Sequence, residues 1–342
     1  MEKLTLDDIA RLCGVSRTTV SRALNGYSDV SEETRRYIQE VAKKNNYHFN
    51  ALARRLATNQ SRSIGLITPR TTNTKEEIMV NVIDQIRMEL NQLNFDLIIG
   101  TRSHSLGYED AFSLWHSRRV DAFIVNEPLE NDPFIEQLVE MNVPTVLYGT
   151  SLEHPEIPSV DIDSVSAISQ ATRLLIENGH RNIAYVSEPL KYVYAVERIQ
   201  GYRKVMGENG IAIPKDWEVE MNHLSECDLE EGYLMGRDLL RKHPEITAVI
   251  CNRDLLAFGV MRAAYDLEIR IPDELSIIGF DNVTMSEYVV PRLTTFGQPL
   301  QSIGKELTRL VMEILGVQPQ NGPTHILFDC PIIKRGSVAN VK

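Results

Sequence analysis

The chain has 342 residues, 43% hydrophobic and 24% charged, which suits two or three soluble folding units. No apolar stretch approaches the roughly 18 residues of a membrane span, and the acidic opening Met1–Asp8 lacks a signal-peptide core, so a cytoplasmic protein with no membrane partner is expected. The net charge of −11 divides into +4 over residues 1–63 and −15 over the rest, a basic head suited to phosphate on an acidic body.

Thr5 followed three residues later by Asp8 reads as a helix start. Ile9, Ala10 and Leu12 supply apolar positions, and Gly14 permits a tight turn. Ser16 then caps a second helix running to about Leu24, with Val15, Val20 and Leu24 facing inward. The small Ala10 lets the two helices cross closely, giving a helix-turn-helix whose second helix enters the major groove. The polar side of that helix carries Arg17, Thr18, Ser21, Arg22 and Asn25. Arg suits guanine, Asn suits adenine, and Thr suits either base or a thymine methyl. The first turn is best placed for base edges, which favours Arg17 and Thr18, then Arg22. A third helix starts at Ser31–Thr34 and runs to about Asn45, with Tyr37, Ile38, Val41 and Ala42 inward. Asn50 caps a stretch of helix formers over residues 51–57 that is too short to be stable alone, and a polar linker follows.

These residues carry a specific likeness. Asp8-Ile9-Ala10, Gly14-Val15-Ser16, Thr19 through Asn25 and Val30 through Arg35 closely resemble the head of the lac and purine repressor family. Asn50 through Ala57 is similar to that family's hinge helix, and the likeness extends over essentially the whole chain. It implies a DNA-contacting set of Thr5, Ser16, Arg17, Thr18, Ser21, Arg22, Asn25, Asn50, Ala53 and Leu56. Leu56 matches a leucine wedged into the minor groove, where an apolar side chain unstacks a base step and kinks the duplex.

From Ser63 short apolar runs alternate with amphipathic stretches. Strands are expected at Ser63–Thr68, Asp96–Thr101, Ala122–Asn126, Thr145–Tyr148, Ile183–Ser187, Ala248–Cys251 and Ser276–Phe280. Helical patterns between them include Glu76–Leu93, Ser164–Asn178, Tyr194–Asn209, Asp228–Lys242 and Asp254–Leu267. Strand-helix alternation means parallel sheets covered on both faces, and about 270 residues suffice for two such lobes. Ligands in such folds bind beyond the carboxyl ends of the strands. Those ends carry Arg70, Arg102, Asn126, Asn252–Asp254 and Asp281. No P-loop, nucleophile elbow, His-Glu-x-x-His or Gly-x-Gly-x-x-Gly follows a strand, so no enzyme is expected and no cofactor is called for. Cys13, Cys227, Cys251 and Cys330 are scattered without metal-ligand spacing, which argues for a reducing compartment and against zinc.

The body shares the same likeness at Asn178–Ala184, at Pro272–Asn282 and at Leu293-Thr294-Thr295 with Gln298-Pro299. The implied fold is an all-α helix-turn-helix head plus an α/β sensor of the periplasmic-binding-protein kind, with two interleaved doubly wound lobes. The expected units are residues 1–49 for the head, 50–62 for the hinge helix and linker, and 63–342 for the sensor. Lobe one is placed at about 63–160 plus 295–322, and lobe two at about 161–294 plus 323–342. The resemblance puts Arg198 and Asp281 at the family's pocket arginine and aspartate, good partners for sugar hydroxyls and workable for a nucleobase. Asp254 begins a helix lining the same cleft, with a plain N-cap as its alternative role.

Departures from the family pattern bear on the ligand. Tyr148 stands where an acid or small polar group is usual, and Cys227 stands where purine binders place a planar stacking residue. Arg253 replaces a frequent Asn, and Tyr192 and Tyr194 replace Arg and Thr of the purine-responsive pattern. The candidate effector residues are therefore Arg70, Tyr148, Tyr192, Arg198, Cys227, Arg253, Asp254 and Asp281. Arg70, Arg198 and Arg253 could together make the cleft cationic, and the effector expected is a sugar, sugar acid or sugar phosphate. The function expected is an effector-controlled regulator, most simply a repressor, that binds pseudo-palindromic double-stranded operator DNA as a homodimer. The alternative is control by a protein co-regulator.

Overall fold

The computed structural model describes residues 4–24, 29–45, 47, 60–69, 76–102, 107–221 and 228–341. The chain divides into two compact units, Met1–Arg62 and Ser63–Lys342. Among the described residues no helix is long and apolar enough to cross a membrane.

In the first unit α1 (Leu6–Cys13), α2 (Arg17–Leu24) and α3 (Glu32–Lys44) surround a small core of Ile9, Ala10, Val20, Ala23, Val30 and Ile38. Thr5 and Asp8 form a reciprocal cap: Thr5 Oγ1 accepts from Asp8 N, and Asp8 Oδ2 accepts from Thr5 N at 2.8 Å. Gly14 adopts φ +66°, the left-handed conformation that closes α1 and starts the turn. Ser16 Oγ accepts from Thr19 N at 3.0 Å and so caps α2. Two expectations shift here. Ala23 is fully buried and takes a core place not assigned to it, whereas Tyr37 is 49% exposed rather than inward. Ile38 and Ala42 already fill the inner stripe of α3, and Tyr37 lies off it.

The second unit contains two parallel sheets. The first has the order β11-β5-β4-β3-β1-β2, from β1 (Ser63–Pro69), β2 (Asp96–Arg102), β3 (Ala122–Asn126), β4 (Thr145–Tyr148), β5 (Ser159–Ile162) and β11 (His325–Phe328). The second has the order β7-β6-β8-β9, from β6 (Ile183–Ser187), β7 (Glu218–Glu220), β8 (Ala248–Cys251) and β9 (Ser276–Ile278). Central strands such as β3, β6 and β8 are buried on both faces, which is why they read as continuous apolar runs. The connecting helices are α4 (Glu76–Gln92), α5 (Glu109–His116), α6 (Pro133–Glu140), α7 (Ser164–Glu177), α8 (Val193–Glu208), α9 (Asp228–Lys242), α10 (Asp254–Asp266) and α11 (Leu300–Ile314).

The chain crosses between the sheets three times. It leaves the first after β5, returns through β10 (Thr295–Phe296) into α11 and β11, then crosses again at β12 (Ile332–Ile333), which pairs antiparallel with β10. The lobe boundaries differ from expectation at two points. The first sheet runs through Ile162, and residues 325–328, expected in lobe two, instead pair β11 with β5 in lobe one. Both are four-residue strands, and β11 is a half-exposed edge, so neither carries a strong pattern.

The tail after β12 belongs to lobe two. Ile277 N donates to Ser337 O at 2.8 Å, and Val341 N donates to Asn178 O at 2.9 Å. His180 clamps it: Nε2 lies 3.0 Å from the Ala339 carbonyl and must donate, leaving Nδ1 to accept from Thr247 Oγ1 at 2.9 Å. Burial holds the His180 pKa below its usual value. A depressed folded-state pKa means this neutral clamp stabilises fully above the unfolded-state pKa near 6.5. The contribution falls as pH drops through that value toward the lower folded one. Urea midpoints measured at pH 7.5 and 5.5 are expected to differ more in the native protein than in His180→Gln; equal differences would count against the clamp.

Candidate functional site

Each unit presents a site. On the outer face of α2, Arg17, Thr18 and Arg22 are exposed and Ser21 is half-buried. Arg17 Nη1 is 3.4 Å from Asp7 Oδ2, and Arg22 Nη2 is 2.8 Å from Asp29 Oδ2. Exposed pairs of this kind contribute about 0–1 kcal/mol, so both guanidinium groups are readily given up to a stronger anion. Thr5 and Ser16 hold the first turns of α1 and α2 through their caps, and helix N-termini suit phosphate oxygens. Asn25, Asn50, Ala53 and Leu56 lie outside the described residues.

In the second unit a cavity of about 340 Å³ opens at the carboxyl ends of the strands. One wall is apolar: Ile78, Met79, Val80 and Ile83 from α4, with Ile99 from β2. Much of the remaining lining is polar. Asn126 and Glu127 follow β3, Tyr148 ends β4, Asp161 lies in β5, Arg253 follows β8 and Asp281 follows β9. Arg198 and Tyr194 come from α8, and Gln298 comes from the crossover.

The polar groups form two linked sets. Arg253 Nε donates to Glu188 Oε2 at 2.5 Å, and its Nη2 lies 3.2 Å from both Glu127 Oε1 and Tyr194 Oη. Burial opposes the Arg253 charge, but Glu188 and its neighbours outweigh burial and raise its pKa. Arg198 is 4% exposed, stacks 3.6 Å above the Phe280 ring and sends Nη1 to Asn252 O at 2.6 Å. Its Nε is buried without a protein partner, an open donor on a cavity-lining side chain. A relay then spans both lobes: Tyr148 Oη donates to Gln298 Oε1 at 3.3 Å, and Gln298 Nε2 donates to Asp281 Oδ1 at 2.6 Å. Asp281 adopts φ +108°, a strained conformation for a side chain with a Cβ. Burial raises the carboxyl pKa of Asp161 and of Asp281, and it raises the Tyr148 phenol in the same way. Glu197, next to Arg198, is pushed up to about 8 by burial and then by the Asp161 charge.

The structure thus brings together Tyr148, Arg198, Arg253 and Asp281 from the expected set. It places Tyr192 outside the cavity lining, stacked on Tyr194 at 5.5 Å beside Arg102 and Leu129. Asp254 is also absent from the lining. It is fully buried and accepts from Val283 N at 3.0 Å and Thr295 Oγ1 at 2.6 Å, so it ties the crossover to lobe two rather than capping its helix. Arg102 is buried in an ion pair with Asp132 and does not reach the cavity. Arg70 and Cys227 lie outside the described residues. The cationic cleft is corrected for the described part: Arg198 and Arg253 face Glu127, Asp161 and Asp281, with Glu188 behind. Glu127, Asp161 and Gln298 were not singled out from sequence. Asp161 sits in β5, which is not among the expected strands, and Gln298 enters the sequence reading only within a segment of family likeness.

Residues 5–50 match the family model of bacterial regulatory proteins, lacI family, and residues 172–338 match a periplasmic binding protein-like domain. The chain is 31% identical over 339 residues to the HTH-type transcriptional repressor PurR of Shigella dysenteriae serotype 1, covering 98% of this chain and 97% of that protein. It is 29% identical over 313 residues to the HTH-type transcriptional regulator CelR of Thermobifida fusca, covering 90% and 91%. Among solved structures, the lac repressor dimer bound to operator and the anti-inducer ONPF superposes with a TM-score of 0.81 at 26% identity, over 99% of this chain and 100% of that one. A CelR–cellobiose complex gives 0.73 at 28% identity, over 98% and 99%. The likeness covers both units at once, and the chain belongs to the LacI family of DNA-binding transcriptional regulators.

Proposed function

We propose that this regulator is a repressor that binds a pseudo-palindromic operator as a homodimer and is controlled by an uncharged sugar in the sensor cleft. The carrying observation is the cavity itself: its lining combines apolar residues with Arg198, Asp281 and Gln298, which can donate to and accept from neighbouring hydroxyls. Four carboxylates, Glu127, Asp161, Asp281 and Glu188, surround the two described arginines, which favours the plain sugar among the sugar, sugar acid and sugar phosphate expected. The solved relatives support the reading: one is a cellobiose complex and another is a dimer on operator DNA. Occupancy of the cleft changes the balance between lobe arrangements and thereby operator affinity. Asn50, Ala53 and Leu56 are proposed as the hinge contacts to DNA, with Leu56 as the minor-groove wedge.

A thermal-shift panel of sugars, sugar acids, sugar phosphates and nucleosides tests the ligand. A ligand at a hundred times its Kd is expected to add about 2.7 kcal/mol to stability. A response confined to nucleosides or acids would refute the uncharged-sugar reading. For the head, a duplex selected from a random pool supplies the target. Arg17→Ala is expected to weaken binding to it by about 1–3 kcal/mol while leaving the sugar response unchanged. Fluorescence anisotropy reads this, and unaltered affinity would remove Arg17 from the interface.

A further inference from the structure

One carboxylate on the cavity wall has no cation of its own among the described residues. Asp161 is 8% exposed and lines the cavity. Its Oδ2 accepts from Thr150 Oγ1 at 2.9 Å and its Oδ1 from Ile162 N at 2.7 Å. A carboxylate offers roughly four acceptor positions, so these contacts orient the group without exhausting it. The two cations of the described cavity are committed elsewhere. Arg253 is paired with Glu188 and Glu127, and Arg198 is bonded to Asn252 O while its charge is shared between Asp161 and Asp281. A buried carboxylate without a paired cation is costly unless donors complete it. Asp254, fully buried, is absent from the lining and serves the fold; Asp161 sits on the wall, where a ligand supplies donors that the described residues do not.

We propose that Asp161 is the specificity-determining residue of the cleft. It accepts hydrogen bonds from a hydroxyl or amine donor of the effector, and it turns away effectors that bring a phosphate or carboxylate to that end. The proposal rests on the sugar reading above and adds the side chain that selects. A hydroxyl gains a charge-assisted hydrogen bond there, an ammonium gains an ion pair as well, and an anion meets like charge in a site with little water to screen it.

Calorimetric titration of the full chain tests this with glucose, galactose, mannose and cellobiose. The 6-phosphates and 2-amino forms of the three hexoses complete the panel. The native protein is expected to bind at least one neutral or amino sugar and to bind the matching phosphate roughly 100-fold more weakly. Asp161→Asn keeps the shape of the side chain and removes the charge. It is expected to weaken the preferred sugar about tenfold and to narrow the phosphate discrimination to below about tenfold. Asp161→Ser serves as the second variant, since it removes the charge with a different side chain, and must narrow the discrimination as well. A preference for the amino form over its parent, lost in both variants, identifies ammonium as the donor; no such preference identifies a hydroxyl. A merely structural role would weaken sugar and phosphate alike, and unchanged discrimination in a folded variant overturns the proposal. If the native protein binds no member of the panel, the sugar reading falls and this inference falls with it. If it binds and both variants discriminate as before, only this inference falls.

Discussion

Replacing Arg198 by lysine is expected to abolish most of the effector response while leaving a folded, DNA-binding protein. Lysine keeps a positive charge near Asp161 and Asp281, so the favourable field on these buried carboxylates is retained. It loses the planar fork that lies on Phe280 at 3.6 Å and reaches Asn252 O, and with it the open Nε donor. Loss of a charge-assisted contact in a buried site costs about 1.5–3 kcal/mol, or roughly 10- to 150-fold in sugar affinity. Arg198→Ala goes further. It removes the favourable charge near Asp161 and Asp281 and the bond to Asn252 O, and is expected to lower stability as well. Calorimetry for the sugar and urea denaturation for the fold separate the two effects. Full sugar affinity in Arg198→Lys would take Arg198 out of the site.

The second large effect is expected where α9 meets α10. Gly232 and Gly259 bring these helices into backbone contact: a Cβ at Gly259 meets Tyr233 N at 2.3 Å and Gly232 C at 2.5 Å, and one at Gly232 meets Leu256 O at 2.4 Å. Backbone atoms cannot swing aside as a flexible side chain can, so the helices must separate. Gly259→Ala is therefore expected to cost at or above the upper end of the about 1–3 kcal/mol typical of overpacking. Gly207, also helical, provides the control, because a Cβ there meets nothing within 4 Å. Gly207→Ala is expected to stabilise by about 0.5–1 kcal/mol through helix propensity alone. Thermal melts of both variants check the contrast. Similar melting temperatures would mean that lobe two tolerates a wider α9–α10 spacing.

The sequence was most legible where one local signal decides the outcome. The Thr5–Asp8 cap, the turn at Gly14 and the double-sided apolar strands β1, β3, β6 and β8 all declare themselves within a few residues. Less legible were β5, β7 and β11, because Asp161, Glu218, Glu220 and His325 interrupt their apolar runs, which short strands such as β8 keep unbroken. The binding site followed the same division. Tyr148, Arg198, Arg253 and Asp281 sit at strand ends or within motifs, and the cavity gathers them. The charge balance was not legible. Glu127 and Asp161 approach Arg253 and Arg198 only when two sheets meet, and Glu188 reaches Arg253 across the neighbouring strands β6 and β8, over separations of up to 126 residues. The same blindness put Asp254 on the cavity wall, although its true partners, Val283 and Thr295, are drawn in by the crossover.

The most direct measurement is operator affinity as a function of sugar, read by fluorescence anisotropy on a duplex selected by the native protein from a random pool. At least one uncharged sugar is expected to shift the Kd by tenfold or more, a coupling of about 1.4 kcal/mol, and the shift is expected to vanish in Arg198→Lys while unliganded DNA affinity stays the same. A DNA affinity indifferent to every uncharged sugar, or a shift that survives intact in Arg198→Lys, would contradict control of the operator through this cleft.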